Sequence, residues 1–217
     1  CEMCIRDSFI YNNLYQAIDS TVHGSGEFYH TYLNLEPRLA ANYQLNEVSS
    51  IKASYSRTAQ YIQLAQNSTA GTPLDIWFAC SPNVKPQLAD QLAIGYARNL
   101  ANNTLEASVE AYYKRMQNAI DFKDQADLLF NEFLEGEIRR GKAWSYGVEF
   151  LLRKTEGKLT GWIGYTYSVA RRQVDGINNG NAYRAPYDKP NDISIVVNYE
   201  INKRHMISAN WVYSTGN

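Results

Sequence analysis

Basic and aromatic side chains that could bind a ligand gather late in the sequence, between residues 171 and 191. Guanidinium groups bind planar anions through paired, charge-assisted hydrogen bonds, and tyrosine rings offer stacking surfaces. The ligand would be an anion such as a metal chelate or an acidic glycan. Contacts with lipopolysaccharide phosphates, or solubility alone, are the alternatives, and Lys189 adds a further charge to the region. The candidate ligand-binding residues are Arg171, Arg172, Tyr183, Arg184 and Tyr187.

No pattern of residues in the sequence predicts catalysis. There is no G-x-S-x-G elbow and no P-loop, and the Gly-Ser-Gly at 24–26 is typical of a linker. His23, His30 and His205 are too far apart in the sequence to predict a metal site. We therefore expect no enzyme, no cofactor and no resident metal. A hydrolase whose catalytic residues lie far apart in the sequence is the remaining enzymatic alternative.

The start of the chain differs in character from the rest. Cys1 and Cys4 have redox or metal spacing, but no second pair follows and Cys80 stands alone. Residues 1–8 resemble nothing downstream, so we expect an atypical leader, either foreign or misread. No secretory signal peptide opens the sequence, which predicts a mature chain or an internal piece of a longer one.

Alternating apolar and polar residues predict the elements that position the candidate side chains. The period of two indicates strands with one wet face. We predict four hairpins, with strands at 33–45 and 51–64, 85–100 and 104–116, 142–154 and 158–170, and 192–201 and 205–215. The clearest strand places one set of side chains opposite another: Leu105, Ala107, Val109, Ala111 and Tyr113 against Glu106, Ser108, Glu110, Tyr112 and Lys114.

The connections between these strands are strongly unequal in length. Short turns close each hairpin, whereas long polar loops at 65–84, 117–141 and 171–191 join one hairpin to the next. This asymmetry is typical of transmembrane β-barrels, with short turns in the periplasm and long loops outside. The 17 Tyr and 4 Trp lie mostly on strands and indicate aromatic girdles, although tyrosine also favours strands in general.

One residue and one loop do not fit the alternation of apolar and polar side chains. Arg57 falls on an apolar face, where a charge at mid-bilayer would cost about 2 to 4 kcal/mol. We therefore expect a β-bulge, a turn of the strand towards the lumen, or a position near the membrane interface.

The acidic loop 121–137 mixes carboxylates with apolar residues and predicts a short amphipathic helix over the barrel mouth. Its spacing does not match an EF-hand, so a solvated acidic face is the preferred interpretation.

Composition excludes several classes of protein. The 217 residues are 45% hydrophobic with a mean hydropathy of -0.44, and no segment has the run of about 18 apolar residues that a membrane helix needs. Strands can still cross a bilayer, because a closed barrel pairs every backbone group. The net charge of -1, with no basic stripe, argues against a nucleic-acid partner. Eight strands and their loops leave no room for a second domain.

Several segments carry a resemblance to a known family. The motifs G-Y-x-R-N, E-x-Y-Y-K and Y-G-x-E-F occur in this order at 95–99, 110–114 and 146–150. Together with 35–45, 51–64, 106–122 and 208–217, they resemble the barrel of TonB-dependent outer-membrane receptors over nearly everything after Phe9. The resemblance implies an all-β, antiparallel barrel of about 22 strands around an N-terminal plug. It also implies a bacterial outer-membrane location and coupling to the TonB complex.

The departures from that family predict a fragment. The sequence shows no plug, no TonB box and no terminal aromatic residue, so we expect 9–217 to be an internal part of the barrel with about eight strands. The resemblance implies uptake of a scarce solute, either a metal-siderophore complex or an oligosaccharide. The implied partners are outer-membrane lipid, lipopolysaccharide, the solute, the TonB complex acting through the missing plug, and a surface lipoprotein.

Two other classes of protein share the alternating pattern. A passive porin or structural barrel would have the same strands and loops without a plug. A secreted β-sandwich, such as a carbohydrate-binding module, would bury its apolar faces under another layer of protein.

Overall fold

The computed structural model describes residues 31–65, 76–124, 126 and 134–215. The expected leader 1–8 and most of the apolar part of the acidic loop lie outside the described residues. The strands are β1 Arg38–Asn46, β2 Ser49–Gln60, β3 Ile62–Ala65, β4 Ile76–Ala79, β5 Gln87–Leu100, β6 Leu105–Phe122, β7 Ile138–Lys154, β8 Leu159–Val174, β9 Tyr183–Arg184, β10 Asn191–Asn202 and β11 His205–Ser214.

Eight of these strands form one antiparallel sheet in the order β1-β2-β5-β6-β7-β8-β10-β11. The short strand β9 pairs with β8, and β3 and β4 form a separate two-stranded ribbon. The prediction of an all-β, antiparallel sheet of about eight strands is confirmed. All four predicted hairpins are present as β1-β2, β5-β6, β7-β8 and β10-β11.

The alternation in the sequence gives the sheet two different faces. Val109 lies between Tyr96 and Phe150 in the register, and this apolar side is called the outer face. Glu110 lies between Gly95 and Glu149 on the opposite side, called the inner face. Large apolar side chains of the outer face remain exposed, with Phe150 at 48%. No second layer covers them in the described residues, unlike the arrangement that a β-sandwich requires.

Polar turns close the short ends of the hairpins, as predicted. Ala101, Asn102 and Asn103 all have positive φ angles, of 50°, 53° and 66°. Asparagine tolerates this left-handed backbone better than most residues, which explains two of the three. The Oδ1 atom of Asn46 accepts a hydrogen bond from the backbone N–H of Val48 at 3.0 Å, which is a typical Asx turn.

The long loops are partly strand, and here several expectations are wrong. β6 continues to Phe122, β7 starts at Ile138 and β8 continues to Val174, so each runs several residues beyond its predicted end. The acidic segment therefore begins inside β6, and its described end is a one-turn 3-10 helix, Leu134–Glu137. The segment 65–84, expected to be loop, holds β4 and the last residue of β3, and the predicted strand 51–64 breaks at Tyr61.

Of the three alternatives stated for Arg57, the β-bulge is not observed. Pairing of β2 with β5 continues without a shift through Arg57, which lies opposite Asp90. The Nε atom of Arg57 lies 3.6 Å from Oδ1 of Asp90, and the hydroxyl of Tyr55 donates to the same oxygen at 2.7 Å. The outer-face cation is thus partly neutralised in a regular strand. A register shift lies instead in β6, between Gln117 and Ala119, where Asn118 has a φ of 56°.

A small hydrophobic core holds the ribbon against the end of the sheet. The rings of Phe78 in β4 and Phe122 in β6 meet edge to face at a centroid distance of 6.0 Å. The buried members of this core come from β3, β4, β6, β7 and the approach to β5: Ala65, Phe78, Val84, Ile120, Phe122 and Ile138.

No helix among the described residues is long and apolar enough to span a membrane.

Candidate functional site

The end of β8 and the short strand β9 position all but one of the candidate ligand-binding residues. Arg172 lies opposite Tyr183 in the register, and Arg171 lies opposite Arg184. Arg171 and Arg172 were predicted in a loop, but β8 continues through both. Because neighbouring side chains of a strand point to opposite faces, the two pairs lie on different sides of the sheet.

Arg172 and Tyr183 meet a carboxylate that lies far away in the sequence. The hydroxyl of Tyr183 donates to Oδ2 of Asp121 at 2.6 Å, and Nη1 of Arg172 lies 3.5 Å from the same oxygen. Asp121 is 1% exposed and Arg172 is 8% exposed, so the pair is held away from water. A buried charge of either sign is costly unless it is paired, which explains why these groups converge.

Tyr187 completes this loop-end cluster, which consists of Asp121, Arg172, Tyr183 and Tyr187. Nη2 of Arg172 donates to the hydroxyl of Tyr187 at 3.4 Å, and the guanidinium carbon lies 5.4 Å from the ring centroid. Cation–π contact and hydrogen bond together fix the direction of the guanidinium plane. Tyr187 is half exposed, so it forms the part of the cluster that an incoming molecule meets first.

The electrostatics of the loop-end cluster leave it able to donate hydrogen bonds. Burial, and then the hydrogen bond to Asp121, raise the pKa of the Tyr183 hydroxyl well above its ordinary value. Tyr183 therefore stays neutral and remains a donor at physiological pH. In the part of the chain that the structure describes, Nε of Arg172 is buried without a hydrogen-bond partner. A buried donor without a partner is uncommon and marks a position where a ligand atom or water would be stabilised.

A cavity of about 390 Å³ opens beside the cluster on the inner face. Arg172, Tyr187 and Lys114 of β6 are among the residues that line it. Lys114 and Arg172 bring two cationic groups to one space, which favours an anionic occupant. Met116 and Ala143 supply apolar surface between them. The described residues contain no group of three or more His, Cys, Asp or Glu side chains that could hold a metal ion.

Arg184 and Arg171 are not part of this cluster. Nε of Arg184 pairs with Oδ2 of Asp188 at 2.9 Å, while Oδ1 of Asp188 accepts from the backbone N–H of Ala170 at 2.8 Å. These bonds fasten the segment after β9 to β8. Of the five candidates, the structure thus brings together Arg172, Tyr183 and Tyr187, and separates Arg171 and Arg184 from them.

Sequence reasoning missed the carboxylate at the centre of the cluster. It assigned Asp121 to a solvated acidic face, but the residue is almost fully buried at the end of β6. Asp121 and Tyr183 are 62 residues apart, so no local pattern joins them. The one available signal was that β6 could continue past Met116, since Ile120 and Phe122 flank Asp121 in an apolar-acidic-apolar order.

A family model described as "TonB dependent receptor-like, beta-barrel" matches residues 11–217 of this sequence. The chain belongs to the TonB-dependent receptor family. This confirms the resemblance seen in the strand motifs, and the β-sandwich alternative is wrong. Members of the family are bacterial outer-membrane transporters and receptors rather than enzymes, which places the chain in the outer membrane. Its short turns accordingly face the periplasm, and its long loops and the loop-end cluster face outside.

Comparison with solved structures gives the same fold. The crystal structure of the ferric-catecholate import receptor Fiu from E. coli K12 superposes with a TM-score of 0.57 at 17% sequence identity. The match covers 94% of this chain and 29% of the Fiu chain, so this chain spans less than a third of that receptor. No sequence among curated proteins matches the chain significantly.

Proposed function

We propose that this TonB-dependent receptor portion forms part of the wall and mouth of a transporter that takes a scarce solute across the outer membrane. The observation that carries the proposal is the loop-end cluster: a buried Arg172 with an unused donor, beside an exposed Tyr187, on the inner face at the extracellular end. In a barrel with this orientation, a solute entering from outside reaches that point before the middle of the lumen.

The chemistry of the cluster favours an anionic, partly aromatic solute. Arg172 and Lys114 line one cavity and would neutralise negative charge, while Tyr187 would stack on a ring. A metal-siderophore complex of the catecholate type has both properties. The structurally similar Fiu is named as a ferric-catecholate import receptor. An oligosaccharide would also stack on Tyr187, but a neutral one would leave the two cations unused.

Energy for this transport would come from outside the described strands. The TonB complex of the inner membrane would act through a plug domain inside the barrel. Polar residues of the inner face would hydrogen-bond that plug and allow it to rearrange, since bonds among exposed polar groups are individually weak. A surface lipoprotein could cap the loops. The inner-face residues proposed to contact the plug are Lys52, Glu106, Glu110, Lys114 and Glu149.

Uptake of radiolabelled ferric catecholate by cells with the full-length receptor as their only route would test this function. We expect uptake to require TonB and to be lost in a strain without it. Tyr187→Ala should raise the half-saturating concentration by up to about tenfold, because the aromatic stack it removes contributes about 0.5–1.5 kcal/mol. Tyr167→Ala is the matched control, since Tyr167 is similarly exposed but lies on the outer face.

Three outcomes would contradict the proposal. Uptake that continues without TonB would identify a passive porin. Saturable uptake of an oligosaccharide, with no uptake of the ferric chelate, would identify a glycan receptor. Equal effects of Tyr187→Ala and Tyr167→Ala would exclude the loop-end cluster from solute recognition.

A further inference from the structure

The two-stranded ribbon β3-β4 has one face packed inside the protein and one face open. Leu64 lies opposite Trp77 in the register of the ribbon, and Ile62 lies opposite Ala79. Residues that are directly opposite in an antiparallel pair, or two apart along one strand, share a face. The open face is called the mouth patch, and it consists of Ile62, Leu64, Trp77 and Ala79.

Contacts on the packed face fix the direction of the mouth patch. Phe78 of β4 packs edge to face on Phe122 at the end of β6. Nε2 of Gln63 donates a hydrogen bond to the backbone oxygen of Lys85 at 2.7 Å, which ties β3 to the approach to β5. Because Gln63 and Phe78 alternate with the residues of the mouth patch, the ribbon cannot turn over without losing both contacts.

The mouth patch adjoins the cavity beside the loop-end cluster. Leu64 lines that cavity together with Lys114 and Arg172. Trp77 lies next to Leu64, since the Cβ atoms of directly opposite residues are about 4.5–5.5 Å apart. Lys114 is four residues beyond Glu110 on β6 and therefore shares its inner face. The mouth patch thus continues the surface of the cavity on the lumen side of the sheet, away from lipid.

The mouth patch exposes much apolar surface where the chain meets water. Trp77 is 65% exposed and Ile62 is 45% exposed. The ribbon lies beyond Gln60, the last residue of β2, at the end of the sheet that carries the long loops. Neighbouring large apolar side chains that face water mark a surface where another molecule binds.

The charge and size of the adjoining cavity indicate what would cover the mouth patch. Lys114 and Arg172 favour an anion in the cavity. Its volume of about 390 Å³ is near the lower end of the range for small-molecule sites, about 300–1,000 Å³. A solute that places its anionic part there and is larger than the cavity must extend onto the surface beside it. At Leu64 that surface is apolar, and at Trp77 it is aromatic.

We propose that Trp77 is a specificity-determining residue of the solute site: a planar, apolar part of the solute stacks on its indole ring, while the anionic part lies beside Arg172 and Lys114. This inference rests on the proposed function and narrows the class of solute to an anion joined to a planar apolar group. An anion without such a group lacks the contact with Trp77. A neutral glycan lacks the contacts with the two cations.

Two iron chelates, one with rings and one without, test the role of Trp77. The full-length receptor, purified in detergent, is titrated calorimetrically with ferric tris-catecholate, an aromatic anion, and with ferric citrate, an anion without a ring. Trp77→Ala should weaken binding of ferric tris-catecholate about tenfold, and binding of ferric citrate less than about twofold, because only the first stacks on indole. Trp77→Phe keeps a ring and should recover most of the affinity.

Two further variants separate the ring contact from charge and from general effects of the substitution. Trp211→Ala is the matched control, because Trp211 is 54% exposed but lies on the outer face, opposite Ile195. It should leave both affinities unchanged. Lys114→Gln removes a cation of the cavity and should weaken binding of both chelates by a similar factor. Folding of each variant is checked by heat-modifiable migration on gels.

The outcomes distinguish this inference from the proposed function. Equal losses of affinity for the two chelates in Trp77→Ala would overturn the inference, and a lower unfolding midpoint of the ligand-free variant would then assign the mouth patch to a contact with the plug or another loop. Weaker binding in Lys114→Gln with unchanged binding in Trp77→Ala would overturn the role of Trp77 and leave the proposed function intact. Failure of the unaltered receptor to bind ferric tris-catecholate would overturn both.

Discussion

Ile94, in the middle of the sheet, is 60% exposed, whereas Asp121, at the loop end of the neighbouring strand, is 1% exposed. Other residues of the two regions show the same contrast between exposed apolar and buried polar side chains. Leu92 and Phe150 also remain open in mid-sheet, while Gln63 and Asp121 are among the most deeply buried side chains. Large apolar side chains are exposed in mid-sheet, whereas polar and charged side chains are buried at the loop end, which is the reverse of the usual pattern in a soluble domain.

This difference shows that two environments stabilise the two regions. In mid-sheet, backbone pairing and surrounding hydrocarbon provide the stability, because no protein layer covers the outer face in the described residues. At the loop end, the chain meets water and must bury its own side chains. There the ribbon β3-β4 packs on Phe122, and Asp121, Arg172 and Tyr183 satisfy one another. The stability cost of a substitution should therefore depend on the surrounding lipid in mid-sheet and on contacts within the protein at the loop end.

The largest effect is expected at the loop end, from Asp121→Ala. Removing one partner of a buried ion pair leaves the other charge uncompensated, which costs about 3–5 kcal/mol. The free energy of unfolding should fall by that amount when the full-length receptor, refolded into lipid vesicles, is titrated with urea. The control is Glu36→Ala, which breaks an exposed pair with Arg38 at 3.8 Å and should cost less than about 1 kcal/mol. Equal losses in both variants would show that the buried pair does not stabilise the loop end.

A smaller effect is expected in mid-sheet, and it should depend on the face. Val109→Lys places a charge on the outer face, where a cation near the bilayer midplane costs about 2–4 kcal/mol. Ser108→Lys places the same charge on the inner face one residue away and should cost far less. Urea titration in vesicles measures both. In detergent micelles, which adapt to a charge more easily, the difference should shrink. Similar costs for the two variants in vesicles would mean that lipid does not cover the outer face.

The mid-sheet could be predicted from the sequence because its rule is local. Side chains alternate with a period of two, so Val109 and Glu110 reveal their faces without any knowledge of the fold. Turn positions followed in the same way from residues such as Asn102 and Asn46, which favour tight turns. Hairpins join neighbouring segments of the chain, and their pairing therefore needs no long-range information.

The loop end could not be predicted in the same way, since its contacts join distant segments. Arg172 and Tyr183 were recognised as candidates by residue type, but their shared partner Asp121 lies 51 and 62 residues away. Strand β4 of the ribbon lies within 65–84, a stretch rich in Asn, Ser and Pro that is typical of loops, and the ribbon packs on Phe122 and Ile138 of later strands. Tertiary burial outweighs local propensity in such segments.

Two glycines of the inner face allow a last and smaller test of the regular mid-sheet. A Cβ atom at Gly147 would lie 2.5 Å from the backbone oxygen of Tyr167 and 2.9 Å from the ring of Tyr112. A Cβ atom at Gly95 would lie 3.3 Å from Oε2 of Glu110, the mobile end of a flexible side chain. Backbone cannot move aside as a carboxylate can, so the two sites differ although both are glycines in central strands.

Gly147→Ala should therefore lower the free energy of unfolding by about 1–3 kcal/mol, the usual cost of overpacking. Gly95→Ala should be neutral or stabilising by up to about 1 kcal/mol, because alanine restricts the unfolded chain. Urea titration of both variants in vesicles separates the two outcomes. The combination Gly147→Ala/Tyr112→Ala removes the ring but leaves the contact with Tyr167, so it should recover part of the loss. Full recovery would assign the whole cost to the Tyr112 ring, whereas no recovery would assign it to the close backbone of β8.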